Sequence, residues 1–288
     1  MNPNLKGALF MTGSMASFTL NDTLVKLLAV DVPLFQIVFL RGLLTTVLLA
    51  LTVAAFGKLS FRIPPGERRK VALRTFFEIA SMVAFLTALV NMAIANATAI
   101  LSAMPLAVTI GAAVLFKEPV GWRRITAICV GAVGVLMIVQ PGTEGFNVYS
   151  LLALLTVVLV AGRDLVTRSF SLGVPTLSVA VITAAAVCLF GGVLSLREPW
   201  VALPLSEILL LIASSVCIIG GYVFSIMVMR VGEVSATAPF RYTSLVFALI
   251  LGIVVFNELP NALALCGAAL VMATGVFTLI RERQVKHG

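Results

Sequence analysis

The sequence predicts an all-α integral membrane protein: ten transmembrane helices in two inverted five-helix repeats, with both termini cytoplasmic. Three observations carry this. Of 288 residues, 60% are hydrophobic and 11% charged, with a mean hydropathy of +1.13. A soluble domain carries about 25% charged residues, because its surface must face water. The apolar residues fall into runs of about 20, the length a helix needs to cross the hydrocarbon core. Short motifs of the first half also return in the second at a nearly constant offset.

The spans are predicted at 7–29, 33–56, 71–92, 96–116, 122–140, 148–170, 175–196, 205–229, 235–256 and 261–281. The first begins soon after Lys6 and holds Asn21, Asp22 and Lys26. It is too long for a signal-peptide core and is read as a retained helix. Spans three and four nearly touch, as do eight and nine, and Asn91, Asn96, Gly232 and Glu233 mark tight turns there. Trp122 and Trp200 fall at predicted interfaces, where an indole is comfortable. The runs are too long and too uniformly apolar for barrel strands, which alternate.

Orientation follows from the basic loops. Lys58, Arg62, Arg68, Arg69 and Lys70 follow span two; Lys117, Arg123 and Arg124 follow span four; Arg281, Arg283 and Lys286 form the tail. The alternate loops carry Asp31, Glu144 and Glu258 instead. The net charge of +8 therefore reads as a topology signal, and no aromatic-interleaved basic stripe points to nucleic acid. Cys129, Cys188, Cys217 and Cys266 sit apart inside apolar runs, and the one histidine is His287. That spacing offers no metal motif, no cofactor is expected, and a Ser-His-Asp triad is excluded.

Asn96-Ala97-Thr98-Ala99 opens span four, and Ser235-Ala236-Thr237-Ala238 opens span nine. Phe116-Lys117-Glu118 and Phe256-Asn257-Glu258 close them, and Asp22 with Lys26 is echoed by Asp164 with Arg168. The offset is about 140 residues each time, which is the mark of an internal repeat. The halves are placed at 1–140 and 147–288. Five helices per half is an odd number, so the second half enters the membrane upside down. Inverted halves are how many secondary transporters obtain two conformations around a midplane site.

Together, the ten spans, the five-plus-five repeat and the paired Phe-x-Glu helix ends resemble the drug/metabolite transporter superfamily, EamA type. Ala236-Thr237-Ala238-Pro239-Phe240-Arg241-Tyr242, with Asn21-Asp22, resembles the subgroup of riboflavin and S-adenosylmethionine uptake carriers. The resemblance implies a multi-pass inner-membrane carrier for a small organic metabolite. It also implies a homodimer supported by the last helix of each half. An exporter of amino acids or drug-like compounds is the alternative within the superfamily. A receptor or scaffold is the alternative outside it. No P-loop points to ATP drive, no filter motif to a channel, and no converging acid, base or metal set to an enzyme.

Charges within a bilayer are costly, so they pair or line a cavity. Asp22 and Lys26 share a helix face and, with Arg41, are expected to form one polar layer. Glu78, Arg163, Asp164 and Arg241 form a second layer, with Arg74 and Arg168 nearer the interface. Glu78 and Asp164 are read as salt-bridged rather than proton-carrying. Tyr242 and Phe240 flank Arg241, as would suit a flat ligand. Asn21 and Asn91 need hydrogen-bonding partners in lipid. The candidate substrate-binding or gating set is Asn21, Asp22, Arg41, Glu78, Asn91, Asp164, Arg241 and Tyr242. Glu118 and Glu258 are read as caps. Pro105 and Pro239 are expected to break their helices near the site.

Overall fold

A computed structural model describes residues 3–56, 63–117, 122–141, 147–171, 173–174, 176–231 and 237–286. Eleven α-helices run through them. These are α1 Pro3–Leu28, α2 Leu34–Phe56, α3 Arg68–Asn91, α4 Ile94–Leu101, α5 Met104–Phe116 and α6 Trp122–Val139. They continue as α7 Tyr149–Arg168, α8 Thr176–Ser195, α9 Leu205–Val231, α10 Thr243–Phe256 and α11 Ala262–Lys286. Single 3-10 turns precede α3 (Pro65–Glu67) and α10 (Ala238–Tyr242). A helix satisfies its own backbone, which lipid demands. Among the described residues, seven segments are long and apolar enough to cross a bilayer, and Ile125–Val139 and Ala262–Phe277 are shorter apolar stretches.

The predicted fourth span is two helices. α4 ends at Leu101 and α5 starts at Met104, with Pro105 in its first turn. Proline has no N–H to give, and at a helix start none is required of it. Pro239 sits the same way in the 3-10 turn before α10. Both helices then end alike, on Lys117 and Asn257 in the left-handed region at φ 54° and 53°. That conformation turns the chain sharply after Phe116 and Phe256. The join of α3 to α4 is shorter than expected, since α4 already begins at Ile94. Gly232, Glu233, Ser235, Ala236, Glu144 and Glu118 lie outside the described residues.

The helix contacts close a ring. α1 packs on α9, α9 on α2, α2 on α8, α8 on α3 and α3 on α7. From there α7 packs on α4 and α5, α4 on α10, and α10 returns to α1. Exchanging α1 with α7, α2 with α8, α3 with α9 and α4–α5 with the turn and α10 returns the same pairs. Outside the ring, α6 packs on α11 and both touch α4. That seam is close because Gly134 and Gly267 face each other. A Cβ added at Gly267 would lie 2.5 Å from the Gly134 carbonyl oxygen. Small residues at such crossings let backbones approach when lipid supplies no hydrophobic drive.

The outer surface reverses the order of a soluble protein. Leu43, Val47 and Leu51 on α2, Leu189 and Val193 on α8 with Leu196 just past its end, and Val246, Ile250 and Val254 on α10 are all exposed. Their spacing of three to four residues marks one face of each helix, turned to the hydrocarbon. Polar and charged side chains are left to the inside of the ring.

Candidate functional site

Two polar layers project inward from the ring. The first joins α1 to α2. Arg41 lies seven residues into α2, about 10 Å from its start. Its guanidinium donates to Asn21 Oδ1 at 2.9 Å, and Asn21 Nδ2 donates to Asp22 Oδ1 at 3.0 Å. Asn21 is 4% exposed, and this chain uses its acceptor on the cation and its donor on the anion. Arg41 and Asp22 also attract each other directly. The predicted site residues Asn21, Asp22 and Arg41 are thus brought together.

Lys26 is not part of this layer, contrary to the expected Asp22–Lys26–Arg41 cluster. Its ammonium donates to Glu258 Oε1 and to the Met92 carbonyl, both at 2.6 Å. It also stands 4.8 Å over the Phe256 ring. Glu258 Oε2 accepts from the Ile94 N–H at 3.0 Å, so it caps α4. The capping role expected for Glu258 is what the geometry gives. Asp22 is only one turn from Lys26, but the turn at Asn257 carries Glu258 to the very end of α1. A related contact occurs at the opposite face, where Arg168 of α7 stands 5.2 Å over Phe116. In each case a cation near the end of one helix rests on the closing phenylalanine of another.

The second layer joins α3, α7 and α8. Arg163 donates to Asp164 Oδ1 at 2.8 Å and to Glu78 Oε2 at 3.2 Å. Glu78 lies 3.8 Å from Arg74, whose other donors reach Thr167 Oγ1 at 3.2 Å and Thr183 Oγ1 at 2.7 Å. Glu78 and Asp164 are therefore held by arginines, as the salt-bridged reading expected. The layer is only partly sealed: the Asp164 side chain is 40% exposed.

The remaining predicted residues sit elsewhere. Arg241 is exposed and has no ion-pair partner among the described residues. Tyr242 is buried at 5%, packed against Gly275 of α11, with its hydroxyl unpartnered. Asn91 is exposed at the end of α3, donating to Thr87 O at 2.8 Å while its own carbonyl accepts from Asn147 at 3.0 Å. Sequence reasoning missed Tyr222 of α9. It is 43% exposed and interacts electrostatically with Glu78, Arg163, Arg41 and Arg74, hence with both layers. The Gly220-Gly221 pair before it was the available signal, since paired glycines in a membrane helix mark a close helix contact.

Residues 5–140 match the EamA-like transporter family. Along nearly its whole length the chain is 25% identical to the S-adenosylmethionine uptake transporter of Rickettsia prowazekii, with 97% of this chain and 94% of that protein covered. Residues 5–140 thus belong to the EamA type of the drug/metabolite transporter superfamily. Its likeness to the S-adenosylmethionine uptake transporter of Rickettsia conorii is 26% over 293 residues, covering 100% of this chain and 98% of that one. The pseudopaline exporter CntI of Pseudomonas aeruginosa (strain PAO1) is 26% identical over 262 residues, covering 90% and 91%. A solved crystal structure shares the fold at a TM-score of 0.67 and 20% identity, covering 96% of this chain and 98% of that chain. This EamA-type carrier is a multi-pass protein of the inner membrane. The family is a transporter family, and the relatives include both an uptake transporter and an exporter.

Proposed function

We propose that this carrier takes up an S-adenosylmethionine-like metabolite by alternating access between two inverted halves, 1–140 and 147–288. Counting α4 with α5, and the 3-10 turn with α10, as one broken span each gives ten spans with both termini cytoplasmic. The exchange symmetry of the helix pairs and the matched left-handed ends at Lys117 and Asn257 support the halves.

The observation that carries the reading is the stacking of two internally neutralised charge layers inside one ring. Asp22 balances Arg41, and Glu78 with Asp164 balances Arg74 with Arg163. Such layers offer carboxylates to cations and guanidiniums to an anion, and S-adenosylmethionine brings both, with an ammonium, a sulfonium and one carboxylate. The substrate's carboxylate takes the place of Asp22 or meets the exposed Arg241. Its ammonium and sulfonium lie against Asp164 and Glu78. Asn21 orients the Asp22–Arg41 pair. Asn91 and Tyr242, lying apart from the layers, hold helix ends.

Export of a zwitterionic metabolite is the second reading, favoured by the likeness to the pseudopaline exporter. The groove of about 380 Å³ between α6 and α11, lined by Trp122, Val130 and Phe277 among others, is apolar and apart from the charges. It belongs to the face that we assign to a homodimer or lipid.

The test is uptake of labelled S-adenosylmethionine into proteoliposomes, with and without a proton gradient. Saturable flux, competed by unlabelled substrate, is expected. Asp22→Ala and Arg241→Ala should each lower flux about tenfold or more, and by more than they lower the amount of folded protein, since each removes a charge-assisted contact worth roughly 1.5–3 kcal/mol. Wild-type flux in both variants removes these residues from the mechanism. No flux of this substrate in folded wild-type protein removes the substrate assignment.

A further inference from the structure

We propose that Tyr222 is the specificity-determining aromatic of this carrier, the surface against which a flat nitrogen heterocycle of the substrate stacks between the two charge layers. This deepens the uptake reading given above and rests on it.

Tyr222 is held in place by a seam that fixes its backbone. Ser14 Oγ of α1 donates to the Gly221 carbonyl at 2.8 Å and is 2.8 Å from Ser225 Oγ. A Cβ at Gly13 would touch Phe224 at 3.5 Å, and one at Gly220 would touch Ser17 at 3.5 Å, so α1 and α9 run in direct contact here. The Phe18 ring meets Tyr222 edge to face, with centroids 5.4 Å apart at 83°. One aromatic neighbour in that arrangement fixes the tyrosine ring but leaves most of it open. The open fraction is 43%, an unusual value for a side chain that four charged groups surround.

Those charges say which way the open surface faces. Arg41 comes from α2, Arg74 and Glu78 from α3, and Arg163 from α7, three helices of the ring other than the α9 that carries Tyr222. A side chain in electrostatic reach of all three faces the space they enclose and not the lipid. Among the described residues its hydroxyl makes no hydrogen bond, and it is not among the buried unpartnered groups. Tyr222 thus offers an apolar plane with a free polar edge. The charge layers on either side fit the zwitterionic part of a substrate and supply nothing flat and apolar. A ring carried by that substrate finds its complement at Tyr222. The arrangement is pre-organised, since the ring is already fixed before a ligand arrives.

The experiment compares purified full-length wild type, Tyr222→Leu and Tyr222→Phe in lipid nanodiscs. Thermal unfolding is read first, then binding of S-adenosylmethionine, and of S-methylmethionine, which keeps the sulfonium and amino-acid head and lacks the ring. Leucine keeps bulk and removes the π face. It should weaken S-adenosylmethionine binding about tenfold or more, equivalent to roughly 1.4 kcal/mol or more, as for loss of one base–aromatic stack. Phenylalanine should restore it to within about threefold, the two variants unfolding at wild-type temperature. The preference for the ring-bearing ligand should collapse only in the leucine variant. Wild-type affinity in folded Tyr222→Leu overturns the assignment while the uptake reading stands. So does equal wild-type affinity for both ligands, or an equal loss for both in the leucine variant. Failure of folded wild type to bind S-adenosylmethionine overturns the uptake reading and this inference together.

Discussion

Replacing Glu258 with glutamine takes one charge from a site where the other is nearly sealed in. Lys26 is 8% exposed, and among the described residues its ammonium has Glu258, the Met92 carbonyl and the Phe256 ring for company. Deleting one partner of a buried pair costs about 3–5 kcal/mol, because the survivor stays desolvated. The Glu258 side chain is 26% exposed, and screening at that edge reduces the expected cost to about 2 kcal/mol. Glutamine still accepts from the Ile94 N–H, so little of the α4 cap is lost. Removing the cation as well restores balance, since methionine at 26 packs on Phe256 without a charge to satisfy. Lys26→Met with Glu258→Gln should therefore lose about 1–2 kcal/mol less than the two single changes added together. Thermal unfolding of the four proteins in one detergent reads this, at a few degrees per kcal/mol. Shifts that add to within about 0.5 kcal/mol would refute the pair as a buried, mutually dependent unit.

Two other substitutions test the packing. Gly267→Val puts a branched side chain against the backbone of α6, where even a Cβ would approach the Gly134 carbonyl oxygen to 2.5 Å. A loss of about 1–3 kcal/mol is expected, read as a lower unfolding temperature. Tyr242→Phe removes a buried hydroxyl that has no partner, so it should leave flux unchanged and raise stability by about 1 kcal/mol. Lost transport in that variant would instead put the hydroxyl in the substrate's path.

Sequence periodicity located the helices because a bilayer imposes both length and apolarity. The likeness of Phe116 to Phe256 was legible, and the residues that follow them adopt the same left-handed turn. The Arg41 layer was legible in part, as Asn21 and Asp22 are neighbours and Arg41 lies at similar depth. The fate of Lys26 was not. Helix periodicity places Lys26 on one face with Asp22, but only the packing of α1 against α10 brings Glu258 to it across 232 residues of chain. Tyr222 escaped notice for a similar reason. An aromatic in an apolar run carries no charge to betray its direction, and only the closed ring shows that it faces α2, α3 and α7 at once. Tyr242 drew attention because Arg241 stood beside it, yet adjacent residues in a 3-10 turn point about 120° apart, and the two face different surroundings.

The closure of the ring has a consequence for how the chain is made. α1 finds its main partner in α9, which begins at Leu205, about 180 residues after α1 ends. At about 5–20 residues per second the first helix waits roughly 10–40 seconds in the membrane before that partner exists. Asn21, Asp22 and Arg41 satisfy one another throughout, since all three are made early. Arg74 and Glu78 have no such independence, because Arg163, Thr167 and Thr183 are still unmade. The nascent first half thus holds one finished polar layer and one half-built one. A ribosome that stalls before α7 leaves an incomplete charge cluster on α3 within the bilayer, a defect that membrane quality control can recognise while the chain is still attached.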